Sequence, residues 1–252
     1  MSSIQKRLAA GLKTILPIAV TQRLQAWRQG TALRRLLLWP PFGASHDDLL
    51  RRTSPMSRLC GADRGSAIDR YYIEAFLARH ADDISGTVLE IHDDAYTRRF
   101  GKGRVTRSEV LSISPGGKVT MVADLASADH IPSSTFDCII LTQTLQYIFD
   151  LPAAVRTIHR ILAPGGVLLA TVPGICPILP ESWPCFWAFR PASIKKLAMD
   201  AFPSNSVSVE SAGNVLTAIT FLHGLALEEI NHAALDVHDP AYPVVVCVRA
   251  VK

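Results

Sequence analysis

From about residue 86 onward, short and uniformly apolar runs alternate with amphipathic stretches. The runs Thr87–Ile91, Val105–Leu111, Lys118–Ala123, Phe136–Leu141 and Val167–Val172 do not interleave polar with apolar positions. That is the pattern of parallel strands buried on both faces. Pro152–Leu162 predicts a helix: Val155, Ile158, Ile161 and Leu162 share one face, Asp150 is placed to cap it, and Pro152 sits in the first turn. Ala163-Pro164-Gly165-Gly166 then stops the helix. Strand, helix, turn and strand make a βαβ unit, and several such units make a doubly wound α/β sheet. A strand near Ser206–Ser211, a helix from about Asn214 to Glu229 and a last strand from Tyr242 to Ala250 complete the pattern, with no internal repeat.

Upstream the rhythm differs. Ile68–His80 predicts one helix, and residues 42–66, punctuated by Gly and Pro, read as a linker or wrapping segment with a short helix at Asp47–Arg52. Ile4, Leu8, Leu12, Ile15 and Leu16 recur at helical spacing before Pro17, and a second helical stretch runs from about Thr21 to Leu38. The expected division is therefore a helical arm and linker over residues 1–66 and a domain over 67–252.

Composition changes this picture mainly through where the charge lies. With 48% hydrophobic and 19% charged residues the chain is a globular type, and its formal net charge is +4. Residues 1–40 hold seven Lys and Arg and no acid, so the rest of the chain sums to −3. A basic surface, if used, belongs to the arm, and the body lacks the basic face that nucleic acid requires. Three uses of the arm stand open: packing on its own domain or a second subunit, contact with an anionic membrane surface, or an organellar transit peptide. No run has the length and apolarity of a membrane span, and the N-terminus lacks a secretory pattern, so the expected location is cytoplasmic, with peripheral membrane contact through residues 1–40 as an option. The five cysteines form no CxxC pair and no zinc-like spacing, so we expect no metal site and reduced thiols, Cys138 and Cys247 being core residues.

In open α/β sheets ligands bind beyond the carboxyl ends of the strands. That rule selects Glu90–Tyr96, Glu109, Asp124 and Thr142–Tyr147. Around these positions Gly86–Ile91, "GTVLEI", and Phe136–Gly174, "FDCIILTQTLQYIFDLPAAVRTIHRILAPGGVLLATVPG", resemble the class I S-adenosylmethionine-dependent methyltransferases of the methyltransferase type 11 kind. The resemblance covers about residues 68–175. It implies a Rossmann-like, mostly parallel sheet with an antiparallel last strand, and S-adenosyl-L-methionine as cofactor. It further implies Glu90, Asp94, Tyr96, Glu109, Asp124, Leu125 and Thr142 as cofactor-binding residues, with Glu109 on the ribose and Asp124, in "VADLAS", on the adenine. A carboxylate accepts two hydrogen bonds from a diol, which suits an acid at the ribose; for Glu109 the plainer reading is a solvated loop acid.

One departure is large. The family follows its first strand with a G-x-G-x-G run, whereas this chain reads His92-Asp93-Asp94-Ala95-Tyr96. Glycine there permits positive φ and close approach of backbone to ligand, so the replacement implies another loop path or a smaller pocket. It also disfavours a dinucleotide, because Asp93 and Asp94 would repel a pyrophosphate. A sulfonium and an ammonium are attracted by acids instead.

Methyl transfer from a sulfonium is an in-line displacement, so alignment and exclusion of water matter most. His92 and Asp93 are the candidate bases for a hydroxyl acceptor, although a loop histidine bonded to backbone explains His92 equally simply. Gln143 and Gln146 are candidates for orienting the acceptor. Trp183 and Trp187, in the aromatic and proline-rich stretch Ile175–Arg190, are candidate acceptor contacts in a lid; a hydrophobic plug is the alternative. The expected function is methyl transfer to a small-molecule or glycan acceptor. Its rivals are a non-catalytic methyltransferase-like binding module and a membrane-associated scaffold.

Overall fold

The computed structural model describes residues 52–178 and 184–252. The two basic helices expected within residues 1–40, the start of the short helix expected at Asp47–Arg52, and Trp183 lie outside these residues. Seven strands form one sheet: β1 (Gly86–Ile91), β2 (Val105–Ser112), β3 (Met121–Val122), β4 (Phe136–Thr142), β5 (Leu162–Pro173), β6 (Val207–Ala212) and β7 (Val245–Val251). Their order is β3-β2-β1-β4-β5-β7-β6. All neighbours from β3 to β5 pair in parallel, and β7 runs antiparallel to both β5 and β6. The sheet is thus mostly parallel with an antiparallel last strand, as the sequence led us to expect.

Helices cover both faces, as buried parallel strands demand. They are α1 (Ile68–Arg79), α2 (Ala95–Gly101), α3 (Leu151–Ile161), α4 (Pro191–Met199), α5 (Val215–Leu222) and α6 (His232–Leu235). One core joins Leu89, Ile139, Leu141, Ile158 and Leu168 with Ile194 and Phe202; the other joins Val88, Cys138, Ile140 and Cys247 with Ile73, Phe76, Phe100 and Phe221. Cys138 and Cys247 are core residues, and burial pushes both thiols up.

Local chemistry sets the boundaries. α3 begins where expected because the Asp150 side chain accepts from Ala153 N–H at 3.0 Å with Pro152 in the first turn. α5 stops at Leu222, seven residues before the expected Glu229. Gly224 there takes φ +69°, and the N–H groups of Gly224 and Leu225 return to the carbonyls of Phe221 and Thr220, a Schellman stop that hydrophobic pattern does not announce. β5 starts at Leu162 rather than Val167, so the Pro-Gly-Gly stretch is an irregularity within the strand; Gly165 and Gly166 exchange hydrogen bonds with Lys252. β3 spans two residues rather than six, because only Met121 and Val122 pair with β2 at the sheet edge. The sequence reading left out α2, α4 and α6.

Residues 52–67 wrap the domain. Met56 and Ser57 N–H donate to the His223 carbonyl, Ala67 bridges Ala226, and Arg64 makes a buried two-point ion pair with Glu229 at 2.6 and 2.9 Å. Gly61 sits inside this wrap at φ +83°, where a Cβ would collide with the Leu225 carbonyl.

Candidate functional site

A cavity of about 850 Å³ opens at the carboxyl ends of β1, β2, β4 and β5, where a sheet of this topology leaves room for a ligand. Most of its wall comes from the wrap (Leu59, Cys60, Ala62, Asp63), the start of α1 (Ala67, Asp69, Arg70), the turns after the parallel strands, and the segment Ile175–Pro177 with Pro184 and Cys185.

The turn after β1 supplies Glu90, His92, Asp93 and Tyr96. Glu90 is buried and accepts from the N–H groups of Tyr96 at 3.1 Å and Thr97 at 2.7 Å, so its carboxylate caps α2 from the strand. Desolvation by burial raises its proton affinity against those hydrogen bonds. Asp93 accepts from Ala95 N–H at 2.8 Å, adding a second acid to the same helix start. His92 holds φ +71°, while Asp94 at φ −110° and helical Tyr96 take ordinary geometry. The loop therefore keeps a left-handed residue at the first of the family's glycine positions, without the glycine. Tyr96 lines the cavity and accepts from Arg70 at 2.7 Å, and burial raises its phenol.

At β3 Asp124 is exposed on the cavity wall, with Leu125 buried beside it; Asp124 Oδ1 accepts from Ala126 N–H at 2.9 Å. After β4 come Thr142, Gln143 and Gln146. Gln143 sits at φ +47° with its N–H on the Thr171 carbonyl, and Gln146 Nε2 donates to the Gln143 carbonyl at 2.9 Å. These contacts fix both amides, and Gln143 Nε2 and Gln146 Oε1 remain buried without a hydrogen-bond partner. A third such atom, Asp69 Oδ1, belongs to the wall formed by α1; desolvation by burial raises this carboxyl too.

Not all the expected residues meet here. Glu109 is not part of the wall: it lies inside β2, opposite Leu89 and short of the strand end, and pairs with Arg107, while Leu111, Ser112 and Ile113 occupy the strand end. Asp94 also turns away. It bonds Lys118 at 2.9 Å and Arg98 at 3.1 Å; desolvation works the other way, yet the Lys118 hydrogen bond helps hold it below the usual carboxylate range. Trp187 stands beside the cavity instead of lining it, its indole N–H on the Ile148 carbonyl at 3.0 Å. The sequence reading missed Asp69, Arg70 and the wrap, because nothing in a local pattern brings the approach to α1 over the strand ends.

The electrostatics are lopsided. Among the described residues the wall carries five carboxylates, Asp63, Asp69, Glu90, Asp93 and Asp124, against the single guanidinium of Arg70. Such a surface favours a ligand with cationic groups and repels phosphates. Cavity position, acid excess and the retained left-handed turn fit S-adenosylmethionine.

A family model described as a methyltransferase domain matches residues 54–233. A ubiquinone/menaquinone biosynthesis C-methyltransferase from Pasteurella multocida is 38% identical over 66 residues, 26% of this chain and 25% of its own length; the chain thus spans about a quarter of the curated relatives it matches. Among solved structures, the [4+2]-cyclase SpnF is similar over 75% of this chain and 84% of its own, at 18% identity and a TM-score of 0.49. An S-adenosylmethionine-dependent methyltransferase from Mesorhizobium loti is similar over 74% and 98%, at 14% identity and 0.46.

Proposed function

The chain belongs to the methyltransferase-domain family, whose cofactor is S-adenosylmethionine, and on that premise we propose that it methylates a small, largely apolar molecule held above β4 and β5. The observation that carries this reading is the acid-rich cavity at the strand ends, which has the charge for a sulfonium cofactor and leaves apolar wall beyond it in Tyr147, Ile148, Pro173 and Ile175. When bound, the cofactor supplies an electrophilic methyl group. Asp124 and Leu125 would hold its adenine end, Tyr96 and Glu90 its cationic end, and Arg70 its carboxylate. Gln143 and Gln146 offer one free donor and one free acceptor to orient the acceptor molecule. His92 or Asp93 takes up the proton that a hydroxyl acceptor, or a ring carbon once methylated, gives up.

The relatives named for ubiquinone and menaquinone biosynthesis favour a carbon acceptor on a small ring system over a glycan, which would leave its hydroxyls against apolar wall. The test is transfer of a labelled methyl from S-adenosylmethionine to a panel of reduced quinones and hydroxylated aromatics. Labelled product that is lost in Gln146→Leu, with cofactor binding kept, supports the reading. Cofactor binding without transfer to any member of the panel favours a non-catalytic module.

A further inference from the structure

Beside the cavity lies an aromatic cluster that the described fold does not cover. Phe149 is 70% exposed, Phe186 44% and Trp187 37%. Phe149 meets Phe186 edge-on at 5.3 Å and stacks on Trp187 at 6.0 Å. Ile178, 81% exposed, follows directly on the wall segment Ile175–Pro177. The cluster is anchored to the cavity: Trp187 bonds the Ile148 carbonyl, and Phe186 N–H donates to the Gln146 carbonyl at 2.8 Å. It is therefore part of the cavity's rim.

Contiguous exposed apolar groups mark surfaces that meet something. Charge says what. Arg190 and Lys195, next along the chain, and Arg156 on α3 are exposed and form no ion pair among the described residues; Lys196 pairs with Asp200 at 3.8 Å. Residues 1–40 add seven cations and no acid. Exposed aromatic side chains with the exposed cation Arg190 three residues beyond Trp187 suit the headgroup boundary of an anionic bilayer, where rings settle among acyl chains and cations meet lipid phosphates.

We propose that the rim formed by Phe149, Ile178, Phe186 and Trp187 docks the protein on an anionic lipid bilayer with the cavity mouth toward the lipid. An apolar acceptor then passes from bilayer to cavity without crossing water. That last consequence rests on the methyl-transfer reading, whereas docking does not, so vesicle binding and cofactor binding fail separately.

The test is co-sedimentation of the full chain with vesicles of phosphatidylcholine alone and with about 30% phosphatidylglycerol. Partitioning onto the anionic vesicles should exceed that onto the neutral ones by about tenfold. It should fall by about tenfold in Phe149→Ser/Phe186→Ser, with circular dichroism and thermal midpoint near wild type, and stay within about threefold in Phe149→Leu/Phe186→Leu. Failure to sediment with anionic vesicles overturns the proposal. So does undiminished binding of the serine variant, which assigns the contact to residues 1–40 alone.

Discussion

His92 holds a backbone conformation that residues other than glycine adopt at a cost of order 1–3 kcal/mol, and it does so at the edge of the cavity. His92→Gly is therefore expected to keep or raise the thermal midpoint, while His92→Val, with a β-branched side chain at φ +71°, loses about 1–2 kcal/mol in denaturant titrations. Equal loss in both would mean that the side chain, not the backbone, holds the turn. Asp124 and Glu109 make a second pair. Both are acids that the family resemblance implies for the cofactor, Glu109 by its distance from Glu90 and Asp124 by its place in "VADLAS". A residue count from Glu90 does not say where β2 ends, and the strand runs on past Glu109 to Ser112, which leaves Glu109 inside the sheet. Asp124 was legible because a two-residue strand gives way at once to a turn, leaving its carboxylate on the wall. Asp94 was misjudged because its partner Lys118 lies in a loop whose course depends on the tertiary fold.

Among the elements, α2 shows how the turn survives without its glycines. Glu90 from the strand and Asp93 from the loop satisfy its first N–H groups, and the helix starts at Ala95. Strands and α3 were readable because their pattern and caps are local. α2 was not, since one of its caps comes from β1, and the wrap was not, since it is held by residues far along the chain. The Arg64–Glu229 pair is the main fastening of that wrap and is nearly inaccessible to water. Glu229→Ala removes the carboxylate that a buried guanidinium bonds at two points and should cost about 3–5 kcal/mol in denaturant unfolding, a loss expected to loosen the cavity wall as well. A change below about 1 kcal/mol would show that the wrap is not fastened there. Asn214 is buried, accepts from Thr217 N–H at 3.0 Å and donates to the Ala234 and Val237 carbonyls at 2.7 Å, so Asn214→Ala should cost more than the roughly 1 kcal/mol of a lost cap in denaturant unfolding.

Across the described residues, some acids are paired with cations in the body and others gather around one guanidinium in the cavity, and this difference links stability to ligand preference. Asp83, after α1, meets Arg249 of β7 through two hydrogen bonds of 2.8 Å, and those bonds hold its carboxyl below the usual range despite partial burial. A lowered carboxylate contributes stability at pH values above its unfolded value, and that contribution is lost as pH falls through the lower folded value. Stability of the wild type should therefore drop more steeply than that of Asp83→Asn below about pH 4, which parallel denaturant titrations would show. The opposite arrangement rules the cavity, where carboxylates gather with one guanidinium and burial raises Asp69 and Glu90. Calorimetric titration with S-adenosylhomocysteine tests most directly whether this cavity is the cofactor site. The account predicts affinity in the micromolar range, weakened by about tenfold in Asp124→Ala and within about twofold of wild type in Glu109→Ala. No binding to the folded wild type, or equal weakening by both substitutions, would contradict it.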